Sequence, residues 1–146
     1  MGHVYAEISL SNYSDEVDAQ KGRIGESEVR RTTVRSLVDS GSTLLAITPK
    51  EQAQLCLAKQ REEFFGTADN REVACDVVGP VKVRFKNRES ICDAVVIPDT
   101  DEVRLGAIPM EEMHLVIYPD EGRLDVNPKR LMASFGLRKL VGREKR

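Results

Sequence analysis

The residue that most limits how this chain can fold is an acid set between two apolar runs. Leu37-Val38 lead into Asp39-Ser40-Gly41-Ser42-Thr43, and Leu44-Leu45-Ala46-Ile47 follow at once. An ionised carboxylate cannot be buried without a partner, because transfer out of water costs several kcal/mol. A strand-like run therefore delivers Asp39 into a tight Ser-Gly turn, and a second apolar run follows it. Val29 to Val38, rich in Val and Thr, is the strand that delivers it. Asp39 is then either an ion-paired structural group or a working one.

The other strands follow from the same patterning. Val4, Ala6, Ile8 and Leu10 alternate with Tyr5, Glu7 and Ser9, the signature of a half-buried strand. Residues 11–25 are polar and turn-rich and predict a long hairpin connection. Residues 60–72 are polar around Phe64 and Phe65, with a turn at Thr67-Ala68-Asp69-Asn70. Val73 to Val78 and Val81 to Phe85 predict two strands parted by Gly79-Pro80, and Lys86-Asn87-Arg88 a hairpin turn. Ile91 to Ile97 is an apolar strand broken by Asp93, and Val103 to Leu105 a short strand entering Gly106. Leu115 to Tyr118 and Arg123 to Val126 flank Pro119-Asp120-Glu121-Gly122 as a hairpin.

Helix signals are few. Thr48-Pro49-Lys50-Glu51 combines an N-cap, a proline at the first helical position and a capping-box glutamate. It predicts a helix running to about Lys59, with Ala53, Cys56 and Leu57 on one face. Ile108 to Met113 predicts a second, short one. Asn127-Pro128 could cap a last helix over residues 128–135, stopped by Gly136. Many short strands and few helices predict an all-β domain with one or two short helices over residues 1–127, and a helical and basic extension over 128–146.

With 146 residues the chain has room for one core. Its net charge of −2 gives no reason to expect nucleic acid or acidic lipid as a partner. It has no long apolar run to span a membrane and no secretory pattern at its start. Three cysteines at wide spacing, Cys56, Cys75 and Cys92, make a poor disulfide framework. With only His3 and His114 beside them they make a poor zinc site as well. They read as small buried hydrophobes of a reducing, cytoplasmic protein, and no cofactor is called for.

On a tight turn, Asp39 could simply cap neighbouring backbone. Paired with a second carboxylate it could do more. Two acids a few ångströms apart share one proton, so that one is a general base for water and the other a hydrogen-bond donor to a carbonyl.

Leu37-Val38-Asp39-Ser40-Gly41-Ser42 resembles the active-site signature of aspartic proteases, those of retroviral type in particular. Their second mark is a pair of apolar residues and a glycine just before a short helix. Val103-Arg104-Leu105-Gly106-Ala107-Ile108-Pro109 stands in that place, with Arg104 departing from the apolar pair. Leu105-Gly106-Ala107-Ile108-Pro109-Met110-Glu111-Glu112 is similar to a segment of the small prokaryotic retropepsin-like proteins. The likeness runs over roughly residues 4–126. It implies a retropepsin-like fold closed by homodimerisation and peptide hydrolysis by activated water, without metal.

By the same resemblance Asp39 is the catalytic acid. Ser40 replaces the usual threonine and bonds across to the partner loop. Gly41 lets the backbone turn and approach substrate, Ser42 bonds behind the acid, and Gly106 lets a strand pass under the loop. A flap is implied within residues 65–77, and Val4 to Leu10 and Leu124 to Val126 are candidate interface strands. Leu44, Ile47, Val73 and Val96 are candidates for substrate pockets, each equally suited to plain core. Asp15, Asp18, Asp76, Asp93 and Asp125 lack a following Ser/Thr-Gly, so one chain supplies half a site and a homodimer is implied. The expected partners are a peptide or protein substrate and a second copy. Two alternatives stand beside the endopeptidase: a retropepsin-fold dimerisation or peptide-binding module that does not cut, and a small barrel with Asp39 as a turn acid.

Overall fold

The computed structural model describes residues 2–66 and 69–130. In chain order the elements are β1 (Tyr5–Asn12), α1 (Tyr13–Gln20), a 3-10 turn (Glu26–Glu28), β2 (Arg31–Val38), β3 (Leu45–Ile47) and α2 (Pro49–Leu55). Then come β4 (Ala58–Gly66), β5 (Glu72–Phe85), β6 (Arg88–Val96), β7 (Val103–Leu105), α3 (Ala107–Glu112), β8 (Leu115–Tyr118), a 3-10 turn (Pro119–Glu121) and β9 (Arg123–Val126).

Seven strands form one sheet in the order β1-β2-β7-β3-β6-β5-β4, and β8 and β9 form a hairpin of their own. An added pairing of β1 with β5, Ser9 to Asn12 against Arg84 to Val81, closes six of the seven into a barrel. β4 hangs on β5 as the seventh. The sheet is mixed, since β2 with β7 and β3 with β6 run parallel and the other pairs antiparallel. The fold is thus β-dominant, a closed six-stranded barrel with a few short helices.

The alternation of β1 fills the barrel as expected: Val4, Ala6, Ile8 and Leu10 are all buried. Leu45, Ile47, Val78, Val81, Val83, Ala94 and Leu105 meet them there, and Leu55 and Met113 close the cluster from α2 and the end of α3. Each Val, Leu, Ile or Met among them contributes about 1.5–3 kcal/mol by leaving water. A second, smaller cluster of Ala46, Cys75 and Val95 carries Leu44, Phe65, Val73 and Ile97.

Several expectations are corrected. Residues 13–20 are not loop but α1, begun by Asn12, whose side chain accepts from the Asp15 N–H at 3.0 Å. This gives three short α-helices among the described residues rather than one or two. The capping box of α2 is present, with the Glu51 carboxylate accepting from the Thr48 N–H at 2.9 Å. The helix stops at Leu55, however, because Cys56 turns left-handed at φ 48°. Ala53 and Cys56 are exposed, and the buried side chains of α2 are Glu51 and Leu55. Residues 58–66 are strand β4, and β5 runs unbroken through Gly79-Pro80, where a bulge accommodates the prolyl nitrogen that cannot donate. Of the cysteines, Cys75 is buried and Cys92 half-buried, but Cys56 is exposed.

Asn127 begins a turn, accepting from the Lys129 N–H at 2.9 Å; the predicted final helix and the basic tail from residue 131 lie outside the described residues. Among the described residues no helix is long and apolar enough to cross a membrane.

Candidate functional site

Asp39 follows directly on β2, and the ladder carries it one step further. Val38 pairs in parallel with Leu105, and the Asp39 N–H donates to the Leu105 carbonyl at 3.0 Å. The Ser42 N–H closes a turn on the Asp39 carbonyl at 3.1 Å. The Gly41 N–H donates to Asp39 Oδ1 at 3.1 Å, so the carboxylate is oriented by the backbone of its own turn. The Ser42 hydroxyl reaches the Leu44 carbonyl at 3.5 Å, inside the same loop.

The strand passing beneath is β7, inserted between β2 and β3, the two strands that the Asp loop joins. Its end fixes the loop. The first N–H groups of a helix lack partners within the helix. In α3 those of Ala107 and Ile108 donate instead to the Ser42 and Thr43 carbonyls, at 2.7 and 3.0 Å. Gly106 makes this approach possible: a Cβ there would lie 2.2 Å from the Leu44 carbonyl oxygen and 2.7 Å from that of Ser42. Its φ of −92° is open to any residue, so contact and not backbone strain requires glycine. Gly41 differs. Its backbone is not left-handed, and a Cβ would meet only Asp39 Oδ1, at 3.4 Å. Turning does not require glycine there, contrary to expectation; the exposed residue instead lines the groove described next.

Beside the loop lies an open groove of about 870 Å³. Leu44, Ala46 and Val95 line its base, Gly41 to Thr43 one rim, and Phe65 and Gly66 the opposite side. Strand register explains its shape. Arg104 of β7 stands opposite Ala46 of β3, Ala46 opposite Val95 of β6, Val95 opposite Val77 of β5, and Val77 opposite Arg61 of β4. One cross-strand row thus has small or branched apolar residues in the middle and an arginine at each end. β4, paired with β5, lines one side of it and reaches the region expected for a flap; residues 67 and 68 lie outside the described residues. Of the four candidate pocket residues, Leu44 lines the groove. Ile47 is fully buried, Val96 packs on the main core, and Val73 packs on the smaller cluster beside Leu44 and Phe65.

The electrostatics are lopsided. Arg61 is committed to Glu63 and to Asp93, the latter at 3.5 Å. Arg104 has one ion-pair partner among the described residues, Asp39, with Nη1 4.0 Å from Oδ2. Beyond hydrogen-bond distance and half-exposed, such a pair contributes ~1 kcal/mol at most. The Asp39 side chain is 32% exposed, and no second carboxylate joins it among the described residues of one chain. Ser40 is exposed, and its hydroxyl has no partner among the described residues.

β1 is paired on both edges along Ser9 to Ser11, so only Tyr5 to Ile8 leave an edge open. Among the described residues no three His, Cys, Asp or Glu side chains converge as a metal-binding group. No protein-family model matches the chain, and no curated protein matches it.

Sequence reasoning recorded Arg104 as a departure from an apolar pair but gave it no role. The exposed place in the buried-exposed-buried alternation of Val103-Arg104-Leu105 was the available signal. Arg61 was missed because β4 was, whereas Phe65 fell inside the expected flap without a role of its own.

Proposed function

We propose that the chain is one half of a retropepsin-like aspartic endopeptidase, completed by a second copy so that two Asp39 carboxylates face one another. The observation that carries this reading is the cradle around Asp39. Its backbone is tied to β7, its carboxylate is oriented by the Gly41 N–H, and the loop is bolted to the start of α3 over a glycine that admits no side chain. Such holding is what a shared-proton pair requires, since a shift of about 1 Å separates productive from unproductive geometry. The open groove beside it, lined on one side by β4, suits an extended peptide.

In the dimer one Asp39 would be ionised and the other protonated. The ionised acid takes a proton from water, whose oxygen attacks the peptide carbonyl carbon. The protonated acid donates to the carbonyl oxygen. Collapse of the tetrahedral species breaks the C–N bond as the leaving nitrogen is protonated. The unpartnered Ser40 hydroxyl would reach the partner loop, and Gly41 would leave room for substrate.

One observation favours a second reading, a peptide-binding module that does not cut. Arg104 Nη1 stands 4.0 Å from Asp39 Oδ2, which pairs the acid with a basic neighbour as a structural or ligand-holding group would be paired. The deciding experiment is digestion of a mixed peptide library between about pH 3 and 7 by wild type and Asp39→Asn. Cleavage abolished in the variant supports the endopeptidase. Peptide capture without cleavage by either protein supports the binding module.

A further inference from the structure

We propose that Arg104 sets substrate specificity, selecting an acidic side chain next to the bond to be cut. This rests on the endopeptidase reading for the word substrate, but the recognition itself would hold for a peptide-binding module too.

Arg104 lines the groove, lies half-exposed, and touches the Asp39 carboxylate only at 4.0 Å. Its donors are therefore open to a ligand. Arg61, at the other end of the row, is already bound to Glu63 and Asp93 and offers less. Glu63 is paired with that arginine, and Asp99, the other acid lining the groove, is exposed. Consecutive residues of an extended peptide step by about 3.4 Å. A guanidinium 4.0 Å from the carboxylate assigned to the cleaved bond thus stands over the side chain flanking that bond.

Charge points the same way. Each chain brings an Arg104 to its groove whose one ion-pair partner among the described residues is Asp39, at 4.0 Å. A planar fork of donors takes a carboxylate in two parallel hydrogen bonds, and it does so best where water is partly excluded. The apolar base of Leu44, Ala46 and Val95 accepts the rest of the peptide.

The test uses fluorescein-labelled eight-residue peptides of Ala, Val and Leu carrying one central Glu, Gln or Lys. Cleavage is measured with wild type, Arg104→Gln and Arg104→Glu. Binding is measured by anisotropy on each in an Asp39→Asn background, with circular dichroism confirming the fold. The Glu peptide should be preferred over the Gln peptide ~10-fold or more by wild type. That preference should vanish in Arg104→Gln and turn to Lys in Arg104→Glu. Equal handling of Glu and Gln by wild type, or an unchanged order in Arg104→Glu, overturns the assignment while leaving any protease activity standing. Arg104-dependent binding of the Glu peptide without cleavage sustains the assignment and removes the endopeptidase. Neither cleavage nor selective binding overturns both.

Discussion

Gly106→Ala is the perturbation whose cost is most directly set by geometry. The added methyl would sit 2.2 Å from the Leu44 carbonyl oxygen and 2.7 Å from that of Ser42, both backbone atoms with no rotamer to yield. The loop must lift away from β7, which breaks the hydrogen bonds from Ala107 to Ser42 and from Ile108 to Thr43. Overpacking costs about 1–3 kcal/mol. Two lost hydrogen bonds add about 1 kcal/mol each. The sum, about 3–5 kcal/mol, is a large part of the ~5–15 kcal/mol that holds a domain of this kind together. With a urea m-value of about 2 kcal/mol/M the midpoint should fall by about 1.5–2.5 M. Gly41→Ala is the internal control, because its methyl meets only Asp39 Oδ1 at 3.4 Å. That variant should lose less than ~0.5 M. Equal midpoints for the two variants, or a Gly106→Ala midpoint within ~0.3 M of wild type, would refute the claim that the Asp loop rests on that glycine.

Further outcomes follow from the same contacts. Asp15 is buried, and two hydrogen bonds from the Arg30 side chain, Nε at 2.8 Å and Nη2 at 2.9 Å, hold its carboxyl below the usual carboxylate range. Its contribution is therefore complete above about pH 4 and is lost as pH falls through that depressed value. Asp15→Asn should cost about 2 kcal/mol in urea melts at pH 7 and markedly less near pH 2. Leu105→Ala, at a fully buried barrel position, should cost about 2–5 kcal/mol by the same measurement. Burial pushes the Cys92 thiol up to about 12 and raises that of Cys75 as well, whereas Cys56 is exposed. A thiol-reactive chromophore at pH 8 should therefore titrate Cys56 fast and the other two only on unfolding. Arg88 is buried and donates to the Met113 carbonyl at 3.0 Å and to the Arg130 carbonyl. Arg88→Met should speed proteolysis after residue 113 while leaving β1 to β6 protected from hydrogen exchange.

What could be read from the sequence was whatever short-range chemistry determines. The alternation of β1, the Thr48-Glu51 capping box, the turn at Gly122 and the Asp39 loop each lie within a few residues, and each stands as expected. What escaped was set across the chain. β4 shows no alternation over its first five residues, because Ala58 to Glu62 are all exposed and the strand exists through its pairing with β5. The left-handed stop at Cys56 carries no glycine to announce it. The polar, turn-rich stretch of residues 11–25 hid α1, whose cap comes from Asn12, the last residue of the strand. Barrel closure by β1 and β5 joins residues about seventy positions apart. The groove was half legible: Leu44 lies just after the motif, but the pairing of Arg104 with Ala46 needs the register. Gly106 was legible as a glycine beneath the loop, and its distance to the Leu44 carbonyl gives the reason.

Completion of the site by two chains is tested most directly by mixing. Wild type and Asp39→Asn are combined at fixed total concentration, allowed to exchange subunits, and assayed on a peptide that wild type cleaves. If both Asp39 side chains serve one site, activity follows the square of the wild-type fraction, about a quarter at equal amounts. Activity proportional to the wild-type fraction, about half at equal amounts, would mean that each chain works alone and would contradict the account.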